Sequence, residues 1–242
     1  MIKKLLVSVF VQCFVFCFFL TSANASQQWR FGRNERLPEQ DISQAIFVQM
    51  MSNLKMTVVV EPLPPARANM YNNNLHLDGE LARIDTYAKK NPDLIRVEPS
   101  HYSLSSVVYM RKTHFKKISS ITDLLDLKVG HIRGVQHSAD LVKYLSKVEE
   151  VNDSKNLFTM LNAGRFDAVI TTSIDGDITL AKLKLDDQLV PVLSLDKRGL
   201  YVYLNKKSAH LRNAISKELD RMKKSGEMDL IIRDEIERLS KH

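Results

Sequence analysis

The stretch that decides the fold is residues 161–170, LNAGRFDAVI, together with residues 127–138, LKVGHIRGVQHS. In the first stretch Gly164 stands where a glycine ends a helix, and the apolar run 166–171 predicts a buried strand. The second stretch opens with a predicted strand and leads through a glycine turn to a helix that Ser138 can cap. Strands and helices that alternate in this way predict a parallel α/β sheet.

The same alternation extends through the rest of the chain. Apolar residues at helical spacing predict a helix over 38–54, and the helix that begins near Ser138 is predicted to run to Val148. The prolines at 64–65 start another helix, because proline is tolerated in a first helical turn. Two helices separated at 225–226 close the chain. Further strands are expected at 56–60, 77–84, 94–97, 103–110, 189–195 and 200–204.

The first 25 residues have the pattern of a secretory signal peptide. Lys3 and Lys4 form a short basic start, an apolar run occupies 5–20, and Ala23 and Ala25 are the small residues typical of a cleavage site. A membrane anchor is the alternative, but the run is short for the ~20 residues that a bilayer span needs. Cleavage after Ala25 removes both cysteines and two lysines, which leaves 217 residues with a formal net charge of +5.

Composition and motifs argue against several functions. The 35 basic residues are interspersed with 28 acidic ones, so we expect no nucleic-acid partner. The eight glycines form no nucleotide-binding loop, and the chain has no G-x-S-x-G nucleophile elbow. His131 and His137 flank one loop, with Asp140 as the only carboxylate close by in sequence, which is too little for a metal site. We expect neither a metal nor a cofactor.

The ordered set of motifs resembles family 3 of the bacterial extracellular solute-binding proteins. Residues 127–138 resemble the family's strand, glycine-rich turn and helix, and 161–169 resemble its L-x-x-G-R-x-D-A-V segment. Residues 62–83, with their D-G-E triplet, resemble the first-lobe counterpart, and 226–228 resemble the start of the C-terminal ending. The resemblance covers nearly all of residues 26–242.

The resemblance implies a two-lobed α/β clamshell of the type II periplasmic-binding-protein kind, in which the chain crosses between the lobes twice in extended strands. The first lobe is expected at 26–110 and 199–242, and the second at 111–198. The implied function is capture of a small polar solute, anionic or zwitterionic, between lobes that close by hinge motion. The protein is expected to be periplasmic, monomeric and not an enzyme, and to serve an inner-membrane ABC permease or a sensor domain.

Candidate ligand contacts follow predicted strands, where open α/β sheets bind ligands. The Arg83 guanidinium suits a carboxylate, and a helix start at Ser138 would add oriented amides. Each residue also has a structural alternative. Arg83 could be an ordinary surface arginine, Ser138 a simple helix cap, and Tyr102 part of the packing at the hinge. A cleft arginine supports no core, so loss of Arg83 should affect binding and leave folding intact. The expected contacts are Arg83, Tyr102, Arg133, Gln136, Ser138, Thr172 and Asp175.

The chain departs from the family at positions that matter for the ligand. Arg83 arrives earlier than the arginine of the family's amino-acid binders, and 171–173, TTS, stands where those binders carry an acid. Asp175 comes slightly late for that acid. Residues 32–36, GRNER, replace a Pro-Pro-aromatic loop. An α-amino acid is therefore one option among small polar solutes.

Two other functions remain open. The same scaffold could carry an exported dehydratase or lyase of cyclic acids, whose acid and base would come from Glu35, His137 and Asp175. The cleft could also have lost its ligand and serve as an interaction module. Turnover of a bound ligand would favour the enzyme, and the lack of any ligand-induced stabilisation would favour the interaction module.

Overall fold

The computed structural model of the chain describes residues 28–35, 37–64 and 76–241. The predicted signal peptide and the helix predicted after residue 64 lie outside these ranges. The strands of the described residues are β1 (Gln28–Asn34), β2 (Thr57–Leu63), β3 (Gly79–Ile84), β4 (Ile95–Arg96), β5 (Tyr102–Arg111), β6 (Val129–Ile132), β7 (Val148–Val151), β8 (Ala168–Thr172) and β9 (Leu189–Leu204).

The α-helices of the described residues are α1 (Pro38–Asn53), α2 (Tyr87–Lys90), α3 (Gln136–Val142), α4 (Ser154–Asn162), α5 (Ser173–Leu183), α6 (Arg212–Ser225) and α7 (Glu227–Lys241). Short 3-10 helices lie at Lys112–His114, Ile121–Leu124 and Lys206–Leu211. The helix predicted over 38–54 and the two C-terminal helices are therefore present, and each predicted strand within the described residues has a counterpart.

The strands are hydrogen-bonded in the order β2-β1-β3-β9-β5-β8-β6-β7, with β4 beside β9. β1 runs parallel to β2 and β3, and β6 runs parallel to β7 and β8. The antiparallel strands β5 and β9 connect the two groups: 189–200 of β9 pairs with β5, and 200–204 pairs with β3. This is a two-lobed α/β fold with two strand crossovers, as the sequence predicted.

The lobes have separate cores. In the first lobe, which contains β1–β3, helices α1, α6 and α7 pack on the sheet, and Phe31, Ile46 and Ile215 are fully buried. In the second lobe, which contains β6–β8, apolar side chains cover both faces of the sheet: Phe158 and Phe166 belong to one core, and Ile170 belongs to the other. Each such side chain contributes ~1.5–3 kcal/mol when fully buried, so each lobe has an apolar core of its own.

Local capping explains several helix ends. The Asp123 carboxylate accepts from the backbone amide of Ser120 at 3.1 Å, as the predicted capping box requires. Asp153 accepts from the amide of Asn156 at 2.8 Å and starts α4. Gly164, at φ +75°, follows the end of α4 in the left-handed region that favours glycine. Residues 161–170 therefore form the helix end, the turn and the strand that they predict.

The helix predicted to run from Ser138 to Val148 is wrong at both ends. α3 begins at Gln136, with Val135 as the N-cap residue, and it ends at Val142. Val148 begins β7 and pairs with Val129 of β6. The periodicity misled because side chains of the helix, of the turn after it and of β7 all pack against the same core. Burial in one core therefore gave these apolar residues a helical spacing, although they do not belong to one continuous helix.

Candidate functional site

A cavity of about 80 Å³ lies between the two lobes, near the ends of their parallel strands. The first lobe contributes the turn after β1 and the end of β3, and the second contributes the turn before α3. The crossover strands contribute Leu104 and Leu200. Since a cavity of ~150 Å³ in another protein takes up benzene, this one has room for a solute of only a few heavy atoms in the present arrangement of the lobes.

Arg83 forms much of the first-lobe wall. Its Nε and Nη2 donate to one carboxylate oxygen of Glu80 at 3.0 and 2.8 Å, and its Nη1 donates to the side chain of Asn34. The guanidinium also lies 5.0 Å from the centroid of the Tyr87 ring. Glu80 is fully buried and Arg83 is 6% exposed. Since loss of one partner of a buried ion pair leaves an uncompensated charge, Arg83 supports the fold as well as lining the cavity.

Glu39 is an ionisable cavity residue that the sequence did not single out. It follows Pro38 in the first turn of α1 and is 1% exposed. The Thr172 hydroxyl of the second lobe donates to Glu39 Oε2 at 3.2 Å, whereas Oε1 has no hydrogen-bond partner. Burial, aided by the nearby charge of Asp175, raises the pKa of Glu39 to about 8. The carboxyl group is therefore largely protonated at neutral pH.

His137 and Gln136 form the second-lobe wall. His137 Nδ1 lies 2.9 Å from the Ser106 hydroxyl of β5, and its Nε2 is buried without a hydrogen-bond partner. Burial lowers the pKa of His137 to about 4, so the ring is neutral at physiological pH. Gln136 accepts from Lys90 Nζ at 3.0 Å and donates to Asp140 at 2.6 Å. Its amide is thus tied to both lobes.

Further polar contacts connect the lobes at the edge of the cavity. Arg198 of β9 donates to Asp85 at 2.6 Å and to Thr86 at 2.9 Å, both directly after β3. The same guanidinium reaches Asp140 of α3 at 3.5 Å. Together with the bond between Lys90 and Gln136, these contacts join the two walls.

Of the seven predicted contacts, Arg83 and Gln136 line the cavity. Tyr102 is half-buried and packs against the first-lobe core, and burial, with Glu39 as a second cause, raises its pKa to about 12. Arg133 has a side chain that is 66% exposed and pairs with Glu150 at 3.0 Å. Ser138 is the third residue of α3, and its hydroxyl donates to the Val135 carbonyl at 3.0 Å. The proposed helix start at Ser138 is therefore wrong.

Thr172 and Asp175 belong to the interior of the second lobe. Thr172 caps α5 by accepting from the Asp175 amide at 3.2 Å. The Asp175 carboxylate accepts from Ser154 at 2.6 and 2.8 Å and from Thr171, and burial raises its pKa. It borders a second, wider groove of about 630 Å³ beside α4 and α5, which also receives Leu239 of α7. Thr172 reaches the cavity only through its bond to Glu39.

The three candidate catalytic residues do not meet in one place. His137 lines the cavity, Asp175 borders the second groove, and Glu35 belongs to neither lining. Within residues 28–35, 37–64 and 76–241, no group of three or more His, Cys, Asp or Glu side chains is placed to hold a metal ion. Among the helices of these same residues, none has the length and apolar character needed to cross a bilayer.

Comparison with known proteins gives the fold a wider context. No model of a known protein family matches the chain. A protein of Shewanella oneidensis, described as uncharacterized, is 22% identical over 194 residues, which are 76% of this chain and 72% of that protein. This similarity is too low to assign the chain to a family.

Solved structures resemble the chain over most of its length. A histidine kinase sensor domain similar to periplasmic binding proteins superposes with a TM-score of 0.72 at 15% identity, over 87% of this chain and 96% of the other. An amino acid ABC transporter substrate-binding protein, AbpA from Streptococcus pneumoniae bound to L-arginine, gives 0.67 at 17%, over 88% and 95%. The ancestral amino acid-binding protein AncCDT-1, a precursor of cyclohexadienyl dehydratase, gives 0.67 at 18%, over 86% and 95%. These similarities define a two-lobed fold of the periplasmic-binding-protein type.

Proposed function

We propose that the protein is a non-catalytic receptor that captures a small polar solute between its two lobes. The observation that carries the proposal is the cavity itself. Its walls come from both lobes and from both crossover strands, so closure of the lobes would enclose a ligand. The division into lobes is part of the proposal, with 26–110 and 199–242 in the first and 111–198 in the second.

Four side chains form the proposed contact set. Arg83 and Gln136 come from the sequence prediction, and Glu39 and His137 are added because they line the same cavity. Glu39 Oε1 and His137 Nε2 are buried without partners. Buried polar atoms are nearly always hydrogen-bonded, so a solute with polar groups would supply what these two atoms lack.

The receptor would work in the periplasm, as a monomer, for an ABC permease or a sensor domain. The signal-peptide pattern supports export. The resemblance in fold to a transporter's substrate-binding protein and to a kinase sensor domain supports either partner. N-terminal sequencing of the exported protein should begin at Ser26. A protein that retains Met1 would contradict the proposed export.

Thermal unfolding in the presence of small metabolites tests the receptor proposal. A solute at one hundred times its Kd should stabilise the protein by ~2.7 kcal/mol through mass action. The control variant Asp177→Asn, which changes an exposed carboxylate on α5 away from the cavity, should show the same ligand-induced shift. If no member of a broad panel shifts the midpoint, the interaction module becomes the better reading.

A second candidate function rests on one observation, the burial of Glu39 and His137 on the same cavity. A buried acid with a pKa of about 8, in the same cavity as a neutral histidine, is the kind of pair that acid–base catalysis uses. An exported dehydratase or lyase would place its substrate between these two side chains. Incubation of each stabilising solute with the protein, followed by mass spectrometry, separates the functions, because an enzyme consumes the solute and a receptor returns it unchanged.

A further inference from the structure

The charge balance of the cavity points to the chemical class of the ligand, provided that the cavity binds a solute as proposed. Arg83 carries the positive charge of the first-lobe wall, but it forms two hydrogen bonds with the buried carboxylate of Glu80. His137 is neutral. An anionic ligand would therefore meet a wall whose positive charge is already balanced.

Glu39 has the opposite character. It is buried against the cavity, its Oε1 has no partner, and its Oε2 receives a single hydrogen bond from Thr172. The charged groups that act on it from α1 and α5, Asp41 and Asp175, are both acidic and oppose its ionisation. The other titratable groups around it are Tyr102 on β5 and, on the lining of the same cavity, Arg83 and His137. In the described residues its carboxylate form therefore has no counter-ion of its own.

We infer that Glu39 is the counter-ion for a protonated nitrogen of the ligand, an ammonium, amidinium or guanidinium group, and that Glu39 gives up its proton when the ligand binds. The neutral acid and the ligand cation become a carboxylate paired with that cation, and one proton leaves to the buffer. His137 Nε2 lies on the same cavity and is available to a second polar group of the ligand. A ligand carboxylate is compatible with this assignment but is not required by it.

Calorimetry with ligands of different charge tests the inference. The probes are agmatine and L-arginine, which carry a guanidinium, L-alanine, which carries an ammonium, succinate, which carries no nitrogen, and neutral erythritol. Titrations at pH 7 in phosphate and in Tris differ in buffer ionisation enthalpy and so report proton transfer. We expect binding by at least one nitrogen cation, with release of nearly one proton, and no binding by succinate or erythritol.

Two variants locate the proton. Glu39→Gln keeps the size of the side chain and a neutral group, so it should fold, and it should weaken binding of the cation at least tenfold and abolish proton release. Asp177→Asn is the control, because Asp177 is an exposed carboxylate on α5 that lies outside the cavity lining. This control should keep both the affinity and the proton release of the parent.

The outcomes separate this inference from the proposed function. If the parent binds succinate or erythritol in preference to the cations, the receptor proposal stands and the role of Glu39 is wrong. The role of Glu39 is also wrong if a cation binds to the parent protein without proton release. This test needs no variant. If no probe of any charge class binds the parent, the receptor proposal itself fails, and the inference fails with it.

Discussion

Two regions of the molecule bury a carboxyl group, and they treat it in opposite ways. In the second lobe Asp175 accepts from Ser154 and Thr171 and is held at the start of α5. At the cavity Glu39 accepts one bond through Oε2 and none through Oε1. Burial raises the pKa of both groups. The neighbours of Asp175 donate hydrogen bonds to both of its carboxyl oxygens, whereas those of Glu39 leave Oε1 without a donor at the cavity wall.

The number of hydrogen bonds to the carboxyl oxygens distinguishes a buried acid that stabilises the fold from one that can bind a ligand. A buried polar atom without a partner loses the hydrogen bonds that it made to water, at ~1–3 kcal/mol. A fold that keeps such an atom at the wall of a cavity keeps a position that a ligand can fill. An acid whose oxygens already accept hydrogen bonds from the protein has no free acceptor for a ligand, even when its position in the sequence suggests a binding role.

The largest effect is expected at Arg83, which lines the cavity but already donates hydrogen bonds to Glu80 and Asn34. Arg83→Met should lower the free energy of unfolding by ~3–5 kcal/mol, because it removes the guanidinium that is paired with the buried Glu80 carboxylate. Urea unfolding measures the change. A double variant, Arg83→Met with Glu80→Leu, should recover most of the loss. A single variant that unfolds within 1 kcal/mol of the parent would contradict the structural role and return Arg83 to a purely ligand-binding one.

The next effect is expected at Asp175. Asp175→Asn should lower the free energy of unfolding by ~1–3 kcal/mol, because one of the hydroxyl donors from Ser154 and Thr171 loses its acceptor. Ligand affinity should not fall, because loss of the Asp175 charge makes Glu39 easier to ionise. Asp177→Asn, on the same helix but exposed, is the control and should remain within ~0.5 kcal/mol of the parent. If Asp175→Asn lowered affinity and left stability intact, the distinction between the two carboxyls would be reversed.

Substitution of Glu39, unlike that of Asp175, should increase the free energy of unfolding relative to the parent at high pH. Its pKa rises from the ordinary 4.5 in the unfolded chain to about 8 in the fold. The unfolded chain therefore loses the proton first, and the stabilising contribution, complete below about pH 4.5, is lost as the pH rises toward 8. Glu39→Gln lacks this loss, so its stability relative to the parent should increase with pH, by at least ~1.4 kcal/mol at pH 8. Parallel stability curves for the two proteins would argue against a neutral buried Glu39.

The sequence predicted the fold because the fold depends on features that are local and repeated. Apolar periodicity identified α1 and the C-terminal helices, and Gly164 and Asp123 marked turns and caps that the structure contains. The sequence pattern predicted the strands that became β5 and β9, and the family resemblance supplied their role as crossovers between the lobes. The error at 138–148 arose where residues of a helix, a turn and a strand share one core, which periodicity cannot distinguish from a single helix.

The site was less predictable because it depends on pairing between distant residues. Glu39 follows a proline in the first turn of a helix, where acidic residues are common for reasons of the helix dipole alone, so nothing local marks it as a cavity residue. Its exposure to the cavity depends on β8 and α5, more than 130 positions away in the chain. The partners that neutralise Arg83 and satisfy Asp175 are likewise known only once the lobes are assembled.

The smallest effect is expected at Arg133, which separates the predicted site from the observed cavity. Arg133 lies on the turn that leads to Gln136, so sequence position gave both residues the same role. The Arg133 side chain is 66% exposed and pairs with the exposed Glu150, whereas Gln136 lines the cavity. Surface ion pairs contribute ~0–1 kcal/mol. Arg133→Ala should therefore change ligand affinity less than about threefold, while Gln136→Ala should lower it by up to about tenfold through loss of one neutral hydrogen bond. Calorimetry with the solute found in the metabolite panel measures both. A tenfold loss at Arg133 would mean that this turn moves when the lobes close on the ligand and brings a surface cation into the site.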